Sequence, residues 1–528
     1  MSRIPRRSAL GILTVGVSAA AVTAFAATAP NGQATHAGLP KPTRTPEPPS
    51  RGDAVLVENG LLGSPTWRPG AGGTRAADDR GGQIQGYAST TSAAAGETVD
   101  FHVSVNPAQE FSVTVHRLGW YDGASARPVL TSPTLPGVPR PVPVADPETG
   151  LLDCRWPVTW SLRVPDDWLS GLYVAVFTTT SGWRSCTPFV VRDDRHRADF
   201  LVVLPFSTYQ AYNLWPLDGR TGKSLYYGYA APEGELVYDT RAVKVSFDRP
   251  YAGDGQAKHL DRDHDAIQFL ERQGYDVTYA STVDLHTGRI DPARYHGMIF
   301  VGHDEYWSAA MRQVATRAVE QGTGLAFLTA NNVYWQIRME AAADGRDGRV
   351  VTCYKTSPDP APGPDRRERT TRWRSIGGGG ILAEQRLLGV QYNGIVARTS
   401  PLVVRSADHW FWAGCDLVEG DKIPRLVGGE ADGFDPDMPA AEGTGATILS
   451  ASPYPVRSGE LREQNSHLYE SPQGALVFTA GTLYWPMALN RPGYVDARVQ
   501  RATANLLDRM RGAPTASSTS LPTVSPAP

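Results

Sequence analysis

Five consecutive apolar residues, Phe200-Leu201-Val202-Val203-Leu204, constrain this chain more than any other stretch. A strand with one wet face alternates apolar and polar side chains. A strand that is apolar at every position is buried on both faces, and such strands belong to parallel sheets covered by helices. The segments downstream of Leu204 keep that grammar. Residues 262–274 set Ile267, Phe269 and Leu270 among acids and bases, as an amphipathic helix does. Segments 276–280, 298–301 and 324–328 read as further strands, and Ser308 opens a helix to about Gln321. Strands alternating with helices predict a mostly parallel sheet with helices on both sides. Beyond Arg374 the pattern is β-rich again, ending in a strand at 475–479 and a closing helix at 497–511.

Upstream the period is two. Residues 98–105, 111–116, 160–164, 171–177 and 187–191 alternate, with turn residues between them, which predicts an antiparallel β-sandwich of immunoglobulin-like type. The 42 prolines and 53 glycines suit so many turns. A chain of 528 residues exceeds one compact core. The expected organisation is a leader at 1–29, a proline-rich linker at 30–53, a sandwich at 54–195, an α/β catalytic part at 196–511 and a disordered tail at 512–528.

The leader has Arg3, Arg6 and Arg7 ahead of an apolar stretch from Ala9 to Ala26, followed by small residues. The Arg6-Arg7 pair resembles a twin-arginine export signal, so the expected location is secreted. No other stretch has the apolar length of a membrane span. The net charge of -3 gives no reason to expect nucleic acid as a partner. Four cysteines lack the close spacing of a zinc or redox site. Disulfides Cys154–Cys186 and Cys353–Cys415, one per expected domain, fit an oxidising destination; the alternative is four buried free thiols.

In open α/β sheets, functional groups collect beyond the carboxyl ends of the strands. Three segments hold such positions: 207–213 after Leu204, 303–306 after Phe300-Val301 and 329–335 after Leu328. They are expected to share one crevice. His303 and Glu305 suit acid–base work or metal ligation; alternatively, Asp304 or Glu305 compensates the dipole of the helix opening at Ser308. Seven tyrosines (209, 212, 226, 227, 229, 238 and 251) fall within 43 residues, which suits a sugar platform or phenolate ligation of a hard cation.

Several segments in order resemble the large subunit of bacterial N,N-dimethylformamidase: TYQAYN at 208–213, GKSLY at 222–226, SFDRPY at 246–251, DLH at 284–286, GHDEYWS at 302–308, ANNVYW at 330–335, VGGEADG at 427–433 and FTAGTLYW at 478–485. The resemblance covers residues 198–489. It implies a glutamine-amidotransferase-like α/β domain and an amidohydrolase with one ferric ion held by two tyrosines and a glutamate. Carried over, Glu305, Tyr212 and Tyr251 are the expected ligands, with Tyr209 close behind. His303, Asn331 and Glu430 are the expected catalytic groups, acting on a water and on the carbonyl of a small amide or peptide-like substrate. Where the family commonly has a proline between its histidine and glutamate, this chain has Asp304. The family member works with a small partner chain, of which this sequence shows no sign; association with further copies of the chain is compatible with it. The rival reading is a non-catalytic protein that binds cell-wall polymer or polysaccharide, with Trp410, Trp412 and Trp485 partly exposed as stacking surfaces.

Overall fold

A computed structural model describes residues 51–230, 234–360 and 369–512. The leader at 1–29, the linker as far as residue 50 and the tail from residue 513 lie outside the described residues. The end of the expected linker is instead helical: α1 spans Arg51–Asn59, with Val55 buried in the main core.

The alternating segments form two facing sheets. One runs β1 (Ile84–Ala88), β2 (Thr98–Val105) and β5 (Trp160–Arg163); the other joins β3 (Gln109–Leu118), β4 (Ala126–Thr131), β6 (Gly171–Thr179) and β7 (Trp183–Arg192) in the order β7-β6-β3-β4. Neighbours within each run antiparallel. Val99, Phe101 and Val103 of β2 meet Val113, Phe177 and Phe189 between the sheets, as a period of two requires.

The second part is built on β8 (Phe200–Leu204), followed by α2 (Phe206–Tyr212), α3 (Leu260–Arg272), β9 (Val277–Ser281), β10 (Gly297–Phe300), β11 (Tyr306–Ser308), α4 (Ala309–Glu320), β12 (Gly324–Phe327), β13 (Trp335–Glu340), β14 (Glu430–Gly433), β15 (Thr444–Pro455), β16 (Leu461–Glu470), β17 (Leu476–Thr479) and α5 (Ala497–Met510). The central sheet has the order β9-β8-β10-β12-β17-β16-β15. Its first five strands are parallel, and β16 and β15 add an antiparallel edge. The apolar run of β8 divides as expected: Phe200, Val202 and Leu204 join a core with Ile267 and Phe269 of α3, while Leu201 and Val203 pack with Met311 and Val314 of α4. Each such side chain contributes about 1.5–3 kcal/mol by leaving water.

The sandwich and the α/β part belong to one compact unit. Val174 and Val176 of β6 and Val190 of β7 enter the same core as β8. A buried ion pair locks the junction: Arg117 of β3 donates from Nη1 to Glu271 Oε2 (2.9 Å) and from Nη2 to Glu271 Oε1 (2.6 Å) on α3. Glu271 also accepts from Asn59 Nδ2 (2.8 Å) and Tyr279 Oη (2.7 Å), so no lone pair is stranded by burial.

The expected disulfides are not formed. All four cysteines are free and buried. Cys154 packs with Tyr87, Trp156 and Trp215, whereas Cys186 lies in the main core. Cys353 Sγ faces the Gln336 carbonyl at 3.9 Å, and Cys415 Sγ faces that of Arg498 at 3.4 Å. Cys154 and Cys186 enter different clusters, and Cys353 and Cys415, though both in the main core, set their thiols against the carbonyls of different segments. Burial pushes Cys353 and Cys415 up to about 12, which makes them poor nucleophiles. The tryptophans also differ from expectation: Trp412 and Trp485 are buried in the core, and only Trp410 is half-buried. Among the described residues no helix is long and apolar enough to cross a membrane.

Thiol titration in denaturant without reductant should count four free thiols, and two disulfides would give none. Glu271→Gln should lower stability by about 3–5 kcal/mol in urea denaturation, because it leaves the Arg117 charge buried and uncompensated.

Candidate active site

Because β8, β10 and β12 are parallel and in register, the segments leaving their carboxyl ends emerge side by side. Backbone and hydroxyl hydrogen bonds then stitch them together. Thr208 Oγ1 on α2 accepts from the amides of Glu305 (3.0 Å) and Tyr306 (3.2 Å), and Ser207 Oγ donates to the Tyr306 carbonyl (2.7 Å). The Glu305 carbonyl accepts from the amides of Tyr334 and Trp335 at 2.9 and 3.0 Å, and that of Asp304 from Val333 at 2.9 Å. Asn331 and Val333 both sit at φ 54°, a region that a β-branched valine rarely enters. The surrounding bonds, including Asn331 N–H to Asp432 Oδ1 on β14 (2.8 Å), hold that strain in place. Gly302, at φ +70°, is required on steric grounds as well: a Cβ there would lie 2.1 Å from Asp263 Oδ1.

The Glu305 carboxylate is 2% exposed and is the hub of the cluster. Tyr226 Oη donates to its Oε1 and Oε2 at 2.6 and 2.8 Å, and Tyr212 Oη to its Oε2 at 2.9 Å. The two phenol oxygens are 3.1 Å apart. His303 Nε2 lies 3.1 Å from Tyr212 Oη, 3.4 Å from Glu305 Oε2 and 3.6 Å from Glu430 Oε2. Asn331 Nδ2 donates to Glu430 Oε2 at 2.7 Å. The helix-dipole alternative for the acids of 304–305 is not what forms: β11 intervenes, and Ser308 Oγ caps α4 by accepting from Met311 N.

Burial would raise the Glu305 pKa, but the hydrogen bond and charge of His303, with Lys355 and Tyr226 behind them, outweigh it and hold the carboxyl below its ordinary value. Glu430 goes the other way, since burial and the Glu305 charge exceed the pull of His303. Burial would lower the His303 pKa, and the Glu430 and Glu305 carboxylates overcome it, so the imidazole is held above its ordinary value. Two carboxyls with opposite shifts around one imidazole are the pattern that separates acid from base roles. Burial and the Glu305 charge keep both phenols protonated as they stand. One carboxylate and two phenols within 2.6–3.1 Å of each other form a set of hard oxygen donors, of the kind that suits a hard cation. Among the described residues no three His, Cys, Asp or Glu side chains gather as a metal site, so the phenols are what complete this set.

Of the residues expected from sequence, Tyr212, His303, Glu305, Asn331 and Glu430 are brought together. Tyr251 is not: its buried phenol lies under the charges of Arg349 and Arg249, and among the described residues it has no hydrogen bond to the cluster. Tyr209 donates instead to Asp263 Oδ2 (2.7 Å). Three residues escaped sequence reasoning. Tyr226 ends the GKSLY segment, but the irregular chain there offers no period from which to choose among neighbouring tyrosines. Lys355 Nζ sits 3.4 Å from the Tyr226 ring centroid, buried and without a hydrogen-bond acceptor, its pKa pushed to about 8 by burial. No sequence signal marks it. His259, at φ 76° before α3, packs edge-on against Tyr212 and His303 at 5.5 and 5.3 Å between centroids. Its Nδ1 is 3.0 Å from Arg262 Nη1; a guanidinium only donates, so the His259 proton is on Nε2.

The sequence has relatives among known proteins. Residues 112–498 match the family N,N-dimethylformamidase beta subunit-like, C-terminal, and the chain belongs to it. The match begins inside β3, so the sandwich is partly included. Two similar proteins are the N,N-dimethylformamidase beta subunits of Paracoccus aminophilus and of Alcaligenes sp, each 24% identical, over 68% and 69% of this chain. The chain spans about half the length of these curated relatives, 55% of each. Among solved structures, a Paenibacillus sp. cycloisomaltooligosaccharide glucanotransferase complexed with cycloisomaltoheptaose is 10% identical over 40% of this chain and 29% of its own, with a TM-score of 0.14, too low to bear on the fold.

Asp432, which positions Asn331, has its pKa raised to about 7 by burial, and its Oδ2 has no partner. A carboxyl with an ordinary pKa near 3.9 when unfolded and about 7 when folded keeps its proton in the fold while losing it in the unfolded chain. Its contribution to stability therefore falls as pH rises between those values and is constant outside them. Asp432→Asn should match wild type in thermal denaturation near pH 4 and exceed it at pH 8, with Asn331 still held by the new amide oxygen.

Proposed function

We propose that this chain is an iron-dependent hydrolase of C–N bonds in small or peptide-like amides, with an immunoglobulin-like sandwich beside an amidotransferase-like α/β part. The observation that carries the reading is the convergence of Glu305, Tyr212 and Tyr226 on one point, with His303, Glu430 and Asn331 beside it. Glu305, Tyr212 and Tyr226 would hold a ferric ion, which supplies Lewis acidity toward the amide carbonyl and the attacking water.

The chain's own residues supply the rest. Glu430, with its raised pKa and its 17% exposed side chain, takes the proton of the attacking water and returns one to the departing amine nitrogen. Asn331 Nδ2 fixes the carboxylate oxygen that does this. The His303 imidazole, drawn toward its protonated form by two carboxylates, stabilises charge developing on the carbonyl oxygen. Lys355 over the Tyr226 ring favours the deprotonated phenol that ligation needs. Positioned acid–base groups of this kind are worth about 10²–10⁴ in rate, and one oxyanion donor about 10²–10³. The name beta subunit, carried by both relatives, supports an oligomeric assembly for this chain. The twin-arginine-type leader supports export. A purely polymer-binding role is disfavoured by the burial of Trp412 and Trp485.

Purified protein should contain one iron per chain and show a tyrosinate charge-transfer band. Glu305→Ala and Tyr226→Phe should lose both, while Tyr251→Phe should keep them. Against formamides, acetamides and muramyl peptides, His303→Ala and Asn331→Ala should fall by about 10²–10³ in kcat with the band retained. Metal-free protein indifferent to Glu305→Ala would sink the reading.

A further inference from the structure

A cavity of 840 Å³ opens on the outward face of α3. Asp261, Asp265 and Arg272 of α3 form one wall, Arg68 and Trp120 from the sandwich side form another, and Arg491 closes it. Its lining shares no residue with the Glu305 cluster.

The charges in it do not balance. Arg491 Nη2 takes both carboxylates, Asp261 Oδ2 at 2.8 Å and Asp265 Oδ2 at 2.6 Å. Among the described residues, Arg68 and Arg272 form no salt bridge. Each is nonetheless held in place by an aromatic face: Arg68 lies 4.5 Å from the Trp67 ring centroid and Arg272 lies 4.9 Å from that of Trp120. Arg68 Nη1 donates to Gln256 Oε1 at 2.8 Å, which fixes it further. Arg272 Nε is buried with no acceptor. An arginine left free for water normally waves on its stem. Here two guanidiniums have already lost that freedom and neither is closed by a salt bridge, although Arg68 lies within electrostatic reach of Asp265 on the facing wall. That is an unfavourable arrangement on its own and a favourable one once an oxyanion supplies the acceptors.

We propose that this cavity binds a small organic anion bearing carboxylate or phosphate groups, with Arg68 and Arg272 as its two arms. The volume is that of a small-molecule pocket, and its walls combine an aromatic with a few convergent polar groups. Arg491, already neutralised, is a wall and not an arm. The proposal is independent of the amidohydrolase reading, since no residue of the Glu305 cluster takes part.

Isothermal titration of the full chain with succinate and, separately, with inorganic phosphate tests it, at an ionic strength held constant with sodium chloride. One saturable site is expected for at least one of the two, which also tells carboxylate from phosphate. Arg272→Met and Arg68→Met should each weaken binding at least tenfold. Arg272→Lys, which keeps the charge but loses the fork, should weaken it several-fold. Asp261→Asn should tighten it by releasing part of Arg491. Thermal denaturation of each variant controls for folding. No saturable binding of either anion, or wild-type affinity in both methionine variants, would overturn the assignment.

Discussion

An ionised carboxylate in a protein interior has to be surrounded by donors, and the burial of Glu305 is the constraint on which the rest of the site depends. Water cannot solvate it, so two phenols and an imidazole do, with the charge of the Lys355 ammonium adding its pull from further off. Each of these comes from a different part of the chain: Tyr212 ends α2, Tyr226 lies in the irregular segment beyond it, His303 precedes Glu305 in the same loop, and Lys355 lies far downstream. Bringing them within reach requires the loop backbone to be fixed, which the Thr208 hydroxyl and the amides of Tyr334 and Trp335 accomplish. The partners that make the buried charge tolerable are also the ones with the chemistry to use it.

The sandwich reaches this site indirectly. Arg117 and Glu271 join β3 to the C-terminal end of α3, and the other end of α3 delivers His259, Arg262 and Asp263. His259 packs on Tyr212 and His303, while Asp263 backs onto the Gly302 backbone. A helix anchored at one end by a buried ion pair thus sets the wall of the cluster at the other. The sandwich contributes no group to the cluster, yet it fixes the helix that does.

Legibility in the sequence tracked physical regularity. The β8 run was readable because burial on both faces leaves no polar position, and the convergence of the three strand ends came from parallel topology alone. His303, Glu305 and Asn331 sit directly beyond strands, so their places could be derived. The choice among tyrosines could not be derived, because residues 213–259 have no helical or strand period to assign a direction to each side chain. Tyr226 and Tyr251 differ only in where irregular backbone aims them. Cysteine spacing misled for a related reason: proximity in sequence says nothing about which neighbours a thiol meets. Lys355 carried no signal at all, since a lysine after a short strand ordinarily points to water.

Asp304 shows how burial can change the meaning of a residue read from sequence. An acid next to Glu305 suggests, from sequence, an added ligand or an added negative charge. The side chain is fully buried, neither oxygen has a hydrogen-bond partner, and burial lifts its pKa to about 7 against the weaker pulls of Trp307 and His303. A carboxyl so placed is neutral over much of the range in which Glu305 is ionised, and it contributes to the site through its backbone carbonyl, which receives the Val333 amide. Asp304 therefore leaves the stitching of the loop intact, and its raised pKa weakens the negative charge it would otherwise add beside the Tyr–Tyr–Glu set.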